Sequence, residues 1–294
     1  MVARISHSIV IAARDAEENL ATIIQRLTPG MTDETEVLIC TERSDLAADN
    51  HPEMPGLHYL TGRPGASIPE LWRDGIVAAR GRAVALLTAH CIPSDAWLAQ
   101  LRSLDLDRRG AYGGRIVEPT DAGAVSRAIH RLRYFGASAA EGGGEVHEIA
   151  ADNALYDRKE IMRCTDLLAA GFWEPAYHAR FRARGRLLEY VPDWCVTHAN
   201  RYTSRQFMRQ RRFHGRAFGR ERAEGASAVR RWLMLIASPA AFPVFAAKVT
   251  ARIIARPDLR TGFLSAAPWF YLFLANWSLG EMRGYADMVL GRDR

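Results

Sequence analysis

Residues 75–98 read GIVAARGRAVALLTAHCIPSDAWL, and this stretch restricts the possible folds more than any other part of the chain. A helix ending at Gly81 leads into the apolar run at 83–87. The polar cluster Thr88, His90 and Cys91 follows, and then a new helix through Trp97. An apolar run of this length between turn signals is a fully buried strand. Buried strands spaced by helices belong to doubly wound α/β sheets, which place their ligands beyond the carboxyl ends of the strands. Residues 88–94 are therefore expected at the site.

The flanking sequence repeats the pattern. Residues 8–13 (SIVIAA) read as a buried strand and 17–27 as an amphipathic helix. Residues 36–40 and 58–60 are further strands, and 64–80 contain a helix with Trp72 and Ile76 turned inward. This alternation predicts a largely parallel sheet covered on both faces. Beyond it, 111–117, 151–156 and 187–192 are expected strands, the last leading to His198, and 122–135, 159–169 and 174–184 are expected helices. Residues 141–148 (EGGGEVHE) are expected to loop, because three consecutive glycines disfavour any regular element. The first 200 residues form one α/β domain on this reading, without an internal repeat.

Composition assigns the charge to one segment. The formal charge is +6, but residues 201–231 hold ten arginines against Glu221 and Glu224, a net +8. The remainder is slightly acidic. Four well-separated cysteines with no C-x-x-C pair argue against a zinc site or a disulfide framework and fit a reducing cytoplasm. No signal-peptide pattern precedes the first strand.

The order Gly-Ile-x-x-Ala-x-Gly, apolar strand, short turn, Cys-x-Pro and Trp-Leu resembles the family-2 glycosyltransferases of the bacterial membrane-associated type. The resemblance covers about residues 6–220. It implies the GT-A nucleotide-diphospho-sugar transferase fold, with a mostly parallel mixed sheet flanked by helices, over 1–200. A C-terminal helical, membrane-associated segment would occupy 201–294. In the family the turn is Asp-x-Asp and holds Mg²⁺ or Mn²⁺ on the donor diphosphate. Here it is Thr88-Ala89-His90, a hydroxyl and an imidazole in place of two hard carboxylates. His90 and His198 remain candidate metal ligands, and a protonated His90 is an alternative that would pair with the diphosphate directly.

Other site residues follow from the same resemblance. Ala13, Asp15, Glu17, Glu42 and Arg73 are implied at the nucleotide, although Asp15 and Glu17 equally suit a helix start and Glu42 a solvated turn. Aligning Arg180, Phe181 and Gly185 on the family block puts Glu174 at the general base of inverting members. A helix-start acid is the plainer reading of that glutamate. His198 matches a histidine near metal or diphosphate. Gln206 and Arg209 match part of a Gln-x-x-Arg-Trp motif, with a solvated or membrane-facing basic helix as the alternative.

The apolar segments 232–247 and 263–280 are at or below spanning length, and each contains proline. The loop between them carries Lys248, Arg252, Arg256 and Arg260, and the positive-inside rule disfavours its export. Interfacial or re-entrant helices on anionic head groups are expected, at the cytoplasmic face of the inner membrane. No nucleic-acid reading motif accompanies the basic segment. The implied function is transfer of a sugar from a nucleotide-sugar donor to a hydroxyl of a lipid-linked or surface glycan, in polysaccharide biosynthesis. The alternatives are a catalytically silent GT-A-like binding or scaffolding subunit and, third, an enzyme using an unusual donor without metal.

Overall fold

The computed structural model describes residues 5–46, 54–107, 109–134 and 142–291. Two compact units divide the chain. One comprises Met1–Pro119 and Gly136–Asn200, the other Thr120–Phe135 and Arg201–Arg294.

In the first unit, β1 (His7–Ala13) pairs in parallel with β2 (Thr35–Thr41) and with β4 (Ala83–Thr88), and β2 pairs in parallel with β3 (Leu57–Thr61). Ile9, Val10, Ile11 and every residue of β4 are buried, because both faces of these strands are covered. α1 (Leu20–Leu27) and α2 (Ile68–Ala78) are crossover helices. α2 ends before Gly81, and Gly75 lies within it. A Cβ at Gly75 would stand 2.2 Å from Val10 Cγ1, and one at Gly81 2.7 Å from the Ser8 nitrogen. Both glycines let the α2–β4 passage press against β1.

Next come β5 (Cys91–Pro93), α3 (Trp97–Ser103), β6 (Arg109–Val117), β7 (Gly144–Val146) and β8 (Asn153–Asp157). The short helices α5 (Arg158–Met162) and α6 (Thr165–Leu168) precede α7 (Glu174–Ala183) and the long strand β9 (Leu187–His198). Among the described residues the sheet runs β3-β2-β1-β4-β8-β6-β9-β5, with β7 also on β9. β8 is antiparallel to both β4 and β6, while β6 and β9 are parallel. The glycine segment expected to loop thus contributes β7, which β9 recruits by long-range pairing. Glu141, at the start of that segment, lies outside the described residues.

Asn153 joins four elements of this half. Its Nδ2 donates to the Arg115 carbonyl at 3.2 Å and to the Trp194 carbonyl at 3.1 Å, and its Oδ1 accepts from Trp97 Nε1 at 2.9 Å. Trp194 Nε1 in turn donates to the Trp97 carbonyl at 3.2 Å, and the two indoles stack at 5.2 Å. A Cβ at Gly114 would lie 2.2 Å from Asn153 Nδ2, so β6 has glycine where the amide arrives.

The second unit is helical: α4 (Ala124–Tyr134), α8 (Ser204–Ala223), α9 (Ala228–Ile254), α10 (Pro257–Arg260) and α11 (Phe263–Val289). Phe135, the expected end of the first of these helices, lies outside the described residues. Ile129 and Leu132 of α4 share a core with Phe207, Val249, Ile253, Phe270, Phe273 and Leu274. α8 and α11 cross at two glycine pairs. A Cβ at Gly215 would meet the Trp277 carbonyl oxygen at 2.1 Å, and one at Gly219 the Glu281 carbonyl oxygen at 2.4 Å. From α11, Gly280 faces the Arg212 carbonyl oxygen at 2.2 Å and Gly284 that of Arg216 at 2.3 Å.

Three arginines of the basic helix are tied to α11 while their side chains stay exposed. Arg212 Nε donates to Asn276 Oδ1 at 2.6 Å, Arg216 pairs with the buried Asp287 at 2.5 Å, and Arg222 pairs with Glu281 at 3.3 Å. Among the described residues α9 is the one helix long and apolar enough to cross a membrane. Little of its apolar window is buried, and Trp232, Leu233, Ile236 and Val244 are exposed.

Replacing Asn153 by Leu leaves the Trp97 N–H and two strand carbonyls buried without partners. At roughly 1–3 kcal/mol per orphaned group, Asn153→Leu is expected to destabilise the first unit by about 3 kcal/mol or more. Urea denaturation monitored by tryptophan fluorescence measures it, and a loss below about 1 kcal/mol would contradict the assigned role.

Candidate active site

The carboxyl ends of β1 and β4 and the far end of β9 are held together by backbone and amide hydrogen bonds. The Ala89 N–H donates to the Ala12 carbonyl at 3.0 Å, and the Ala199 N–H donates to the His90 carbonyl at 2.7 Å. Asn19, nearly fully buried, donates through Nδ2 to the Ala89 carbonyl at 2.9 Å and to that of Ala199 at 3.1 Å. β5 is the short strand that completes the arrangement, pairing Cys91 with His198. Three residues carry too little periodicity to show a strand in sequence, and their partner lies about a hundred residues away.

His90 and His198 come together here. Both are buried, with ring centroids 6.2 Å apart in an edge-on arrangement. Thr88 is also buried, and its Oγ1 donates to Asp152 Oδ1 at 3.0 Å. Asp152 precedes β8, whose pairing sets Asn153 opposite Leu87. The Ala151 N–H donates to Glu174 Oε1 at 3.4 Å, so the loop that carries Asp152 also contacts Glu174. Glu174 is the first residue of α7, where a carboxylate also suits the positive helix end.

A hydrogen-bonded chain of three side chains lies beside Glu174. Tyr156 Oη meets His178 Nε2 at 3.0 Å, and His178 Nδ1 meets Glu148 Oε2 at 2.5 Å. Because an ionised carboxylate only accepts, His178 Nδ1 donates to Glu148, and the ring bridges that carboxylate and the tyrosine hydroxyl. His178 is one helical turn from Glu174, on the same side of α7. Burial raises the Tyr156 pKa well above its ordinary value, and the charges of Glu174, Glu148 and Asp152 push it the same way.

The residues implied at the nucleotide are placed as follows. Ala13 closes β1 and is buried. Asp15 is exposed with φ of 61°, a left-handed conformation that aspartate tolerates better than most residues. It does not cap the next helix, whose N-cap is Ala16. Glu17 begins that 3-10 turn and is half-buried. Glu42 accepts from the Gly65 amide, while Arg14 donates to the Gly65 and Ala66 carbonyls, so both side chains converge on one loop. Arg73 is engaged by Asp74 at 2.8 Å and by the Ala169 carbonyl at 3.3 Å. Gln206 and Arg209 are on α8 of the second unit. The Gln206 amide oxygen accepts from the Thr203 N–H at 2.9 Å and from its hydroxyl at 2.7 Å, forming a capping box.

Sequence reasoning passed over Asn19, Asp152 and the Glu148–His178–Tyr156 chain. An aspartate directly before an apolar strand was the available signal for Asp152. For the others, only tertiary pairing reveals the role. The donor set at the strand end does not fit a divalent cation. It offers one hydroxyl already bonded to a carboxylate, and two imidazoles in place of the hard oxygen pair. Among the described residues no three His, Cys, Asp or Glu side chains converge as a metal-binding group.

No family model matches the chain, and no curated protein sequence matches it. Among solved structures the chain is similar to the mannosyltransferase PcManGT from Pyrobaculum calidifontis in complex with GDP-Man and Mn²⁺. The TM-score is 0.52 at 15% identity, over 99% of this chain and 89% of that one. It is also similar to S. aureus TarS residues 1–349, with a TM-score of 0.49 at 10% identity over 94% and 90% of the two chains. The likeness to the mannosyltransferase establishes the fold. It is the GT-A glycosyltransferase fold, a mixed sheet flanked by helices.

Burial opposes ionisation of Glu148, but the His178 N–H and the Arg182 guanidinium outweigh it and hold its pKa below the usual glutamate range. A carboxylate whose pKa falls on folding adds stability above its unfolded value, ~4.3, and that stability is lost as pH drops through the folded value. Glu148→Gln should therefore flatten the acid limb of the stability–pH curve between about pH 5 and 3. Urea midpoints across that range measure it, and parallel curves for the two proteins would refute the pairing.

Proposed function

We propose that the protein is a glycosyltransferase of the inverting type, moving a sugar from a nucleotide-sugar donor to a hydroxyl of a lipid-linked or surface glycan. The observation that carries this reading is the loop before β8, which bonds Asp152 to Thr88 at the end of β4 and meets Glu174 through the Ala151 amide, at the strand ends where such a sheet binds ligands. The fold shared with a mannosyltransferase solved with GDP-Man supports it.

In this mechanism Glu174 is the base. Its carboxylate takes the proton of the acceptor hydroxyl as that oxygen attacks the anomeric carbon, from the side opposite the nucleoside diphosphate. The bond from the anomeric carbon to the diphosphate oxygen breaks, and its electron pair leaves with the phosphate. Asp152 fixes the Thr88 hydroxyl and so the end of β4. His90 and His198 are the groups proposed beside the diphosphate. No step runs through a metal ion, because the donor set does not fit one.

A second reading is favoured by the Thr88–Asp152 hydrogen bond, which satisfies the strand end from within. It is a silent GT-A-like subunit that neither binds nor turns over a donor. Thermal shifts with a panel of nucleoside diphosphates, each with and without Mn²⁺, separate the two. A shift that needs no Mn²⁺ is expected, and no shift with any nucleotide would overturn the transferase reading. Glu174→Gln should retain that shift and lose transfer by about 10²–10⁴-fold, measured as nucleoside diphosphate release with acceptor present. Full activity of Glu174→Gln would remove it as the base.

We further propose that the second unit attaches to the cytoplasmic face of a bacterial inner membrane through α9, lying in the interface. The exposed row Trp232, Leu233, Ile236 and Val244 supports this, as do Arg230 and Arg231 near its start. Trp232→Glu with Ile236→Glu should lower partition to vesicles containing phosphatidylglycerol by about tenfold or more. Unchanged co-sedimentation would contradict the attachment.

A further inference from the structure

The opposite edge of the sheet in the first unit holds a second hollow. Arg82 precedes β4, Asp157 ends the antiparallel β8 opposite Ala83, and Arg184 and Arg186 precede β9 opposite the start of β6. All of these lie at the edge away from Thr88, His198 and Asp152, separated by the length of β4, roughly 20 Å for six residues. The hollow is about 610 Å³, and Lys159 and Glu160 of α5 with Arg163 just after it complete its wall. Every lining residue is charged, five cations against Asp157 and Glu160. An adjoining hollow of about 750 Å³ shares Arg82, Lys159 and Arg163 and adds Arg80 and Arg158. The sequence supplies this cluster through two Arg-Gly-Arg tripeptides, 80–82 and 184–186, and the Arg-Lys-Glu run at 158–160.

Internal pairing leaves a positive surplus. Arg80 is matched by Glu36 and Arg82 by Asp107. Glu160 is shared by Arg163 at 2.7 Å, Arg186 at 3.5 Å and Arg184 at 3.9 Å, and Asp157 lies 3.8 Å from Arg186. Lys159 has no ion pair among the described residues. A recess whose lining residues are all charged, with surplus guanidinium and ammonium groups, suits a compact anion and offers no aromatic or aliphatic residue to a nucleobase or an acyl chain.

Two buried atoms narrow the ligand further. Glu160 is 3% exposed, and its Oε2 accepts no hydrogen bond. The buried Arg186 Nε donates none. Oε2 has only the Arg184 guanidinium, 3.9 Å away, and buried polar atoms without a hydrogen bond are costly unless a ligand engages them. Arg186 Nε calls for an anionic oxygen and Glu160 Oε2 for a hydroxyl donor. We infer that this hollow binds a small phosphorylated polyhydroxy compound, a sugar phosphate being the simplest case. Its phosphoryl oxygens meet Lys159, Arg184 and Arg186, and a hydroxyl donates to Glu160. The site is separate from the candidate active site, and its existence does not depend on glycosyl transfer.

Titration calorimetry of the full chain with glucose 6-phosphate, inorganic phosphate and glucose tests this. Glucose 6-phosphate is expected to bind at least tenfold more tightly than inorganic phosphate, and glucose not at all. Lys159→Glu, at an unpaired side chain, should weaken the sugar phosphate by about tenfold or more while thermal stability is kept. Glu160→Gln should narrow the gap between sugar phosphate and phosphate. Equal affinities for the two phosphates, no heat up to millimolar concentration, or insensitivity to Lys159→Glu would each overturn the proposal.

Discussion

The antiparallel insertion of β8 between β4 and β6 depends on one buried amide. Asn153 satisfies two strand carbonyls and one indole, in the place where β6 is irregular and β9 changes register. A side chain of any other chemistry would leave at least one of those groups without a partner in a region closed to water. The next residue back, Asp152, owes its position to that knot. So does the loop whose Ala151 amide reaches Glu174. The apparent active site therefore inherits its geometry from a packing contact, and the rigid half of the sheet positions the groups that would act on a ligand.

The strand-end turn is held by contacts within the protein. Two carboxylates on a turn repel each other and need a dication between them. A threonine and a histidine do not repel. Here the threonine is bound to an aspartate from the neighbouring strand, and the imidazole lies against a second imidazole from β9. Asn19 closes the arrangement from the other side by holding two carbonyls at once. Such a turn is held in place by the protein's own groups.

How much of this could be read in the sequence depended on range. Three of the four parallel strands, β1, β2 and β4, are visible because burial on both faces writes an apolar run, as in residues 83–87. Thr88, His90 and His198 could be singled out because strand ends are where such sheets bind. The pairings that give those residues their surroundings could not. The Thr88–Asp152 contact spans 64 residues and leaves no local pattern. β5 and β7, three residues each, exist only because β9 offers an edge to pair with. Arg212, Arg216 and Arg222 read as a solvated face, and they are exposed, but the sequence does not show that Asn276, Glu281 and Asp287 of α11 pair with them. Charge in a sequence does not reveal whether its partner lies in solvent or in the next helix.

Membership of α4 in the helical unit has a practical side. Its residues come from the middle of the chain, so the polypeptide passes between the two units near residues 119, 135 and 200. A fragment ending at residue 200 would keep Ile129 and Leu132 but lose Phe207, Phe270 and Phe273, which cover them. A fragment starting at residue 201 would have the converse defect, an apolar cleft with its fourth wall absent. Neither half is a natural unit of expression. Excising 120–135 and bridging the gap with a short polar linker would be the sounder way to isolate the α/β portion.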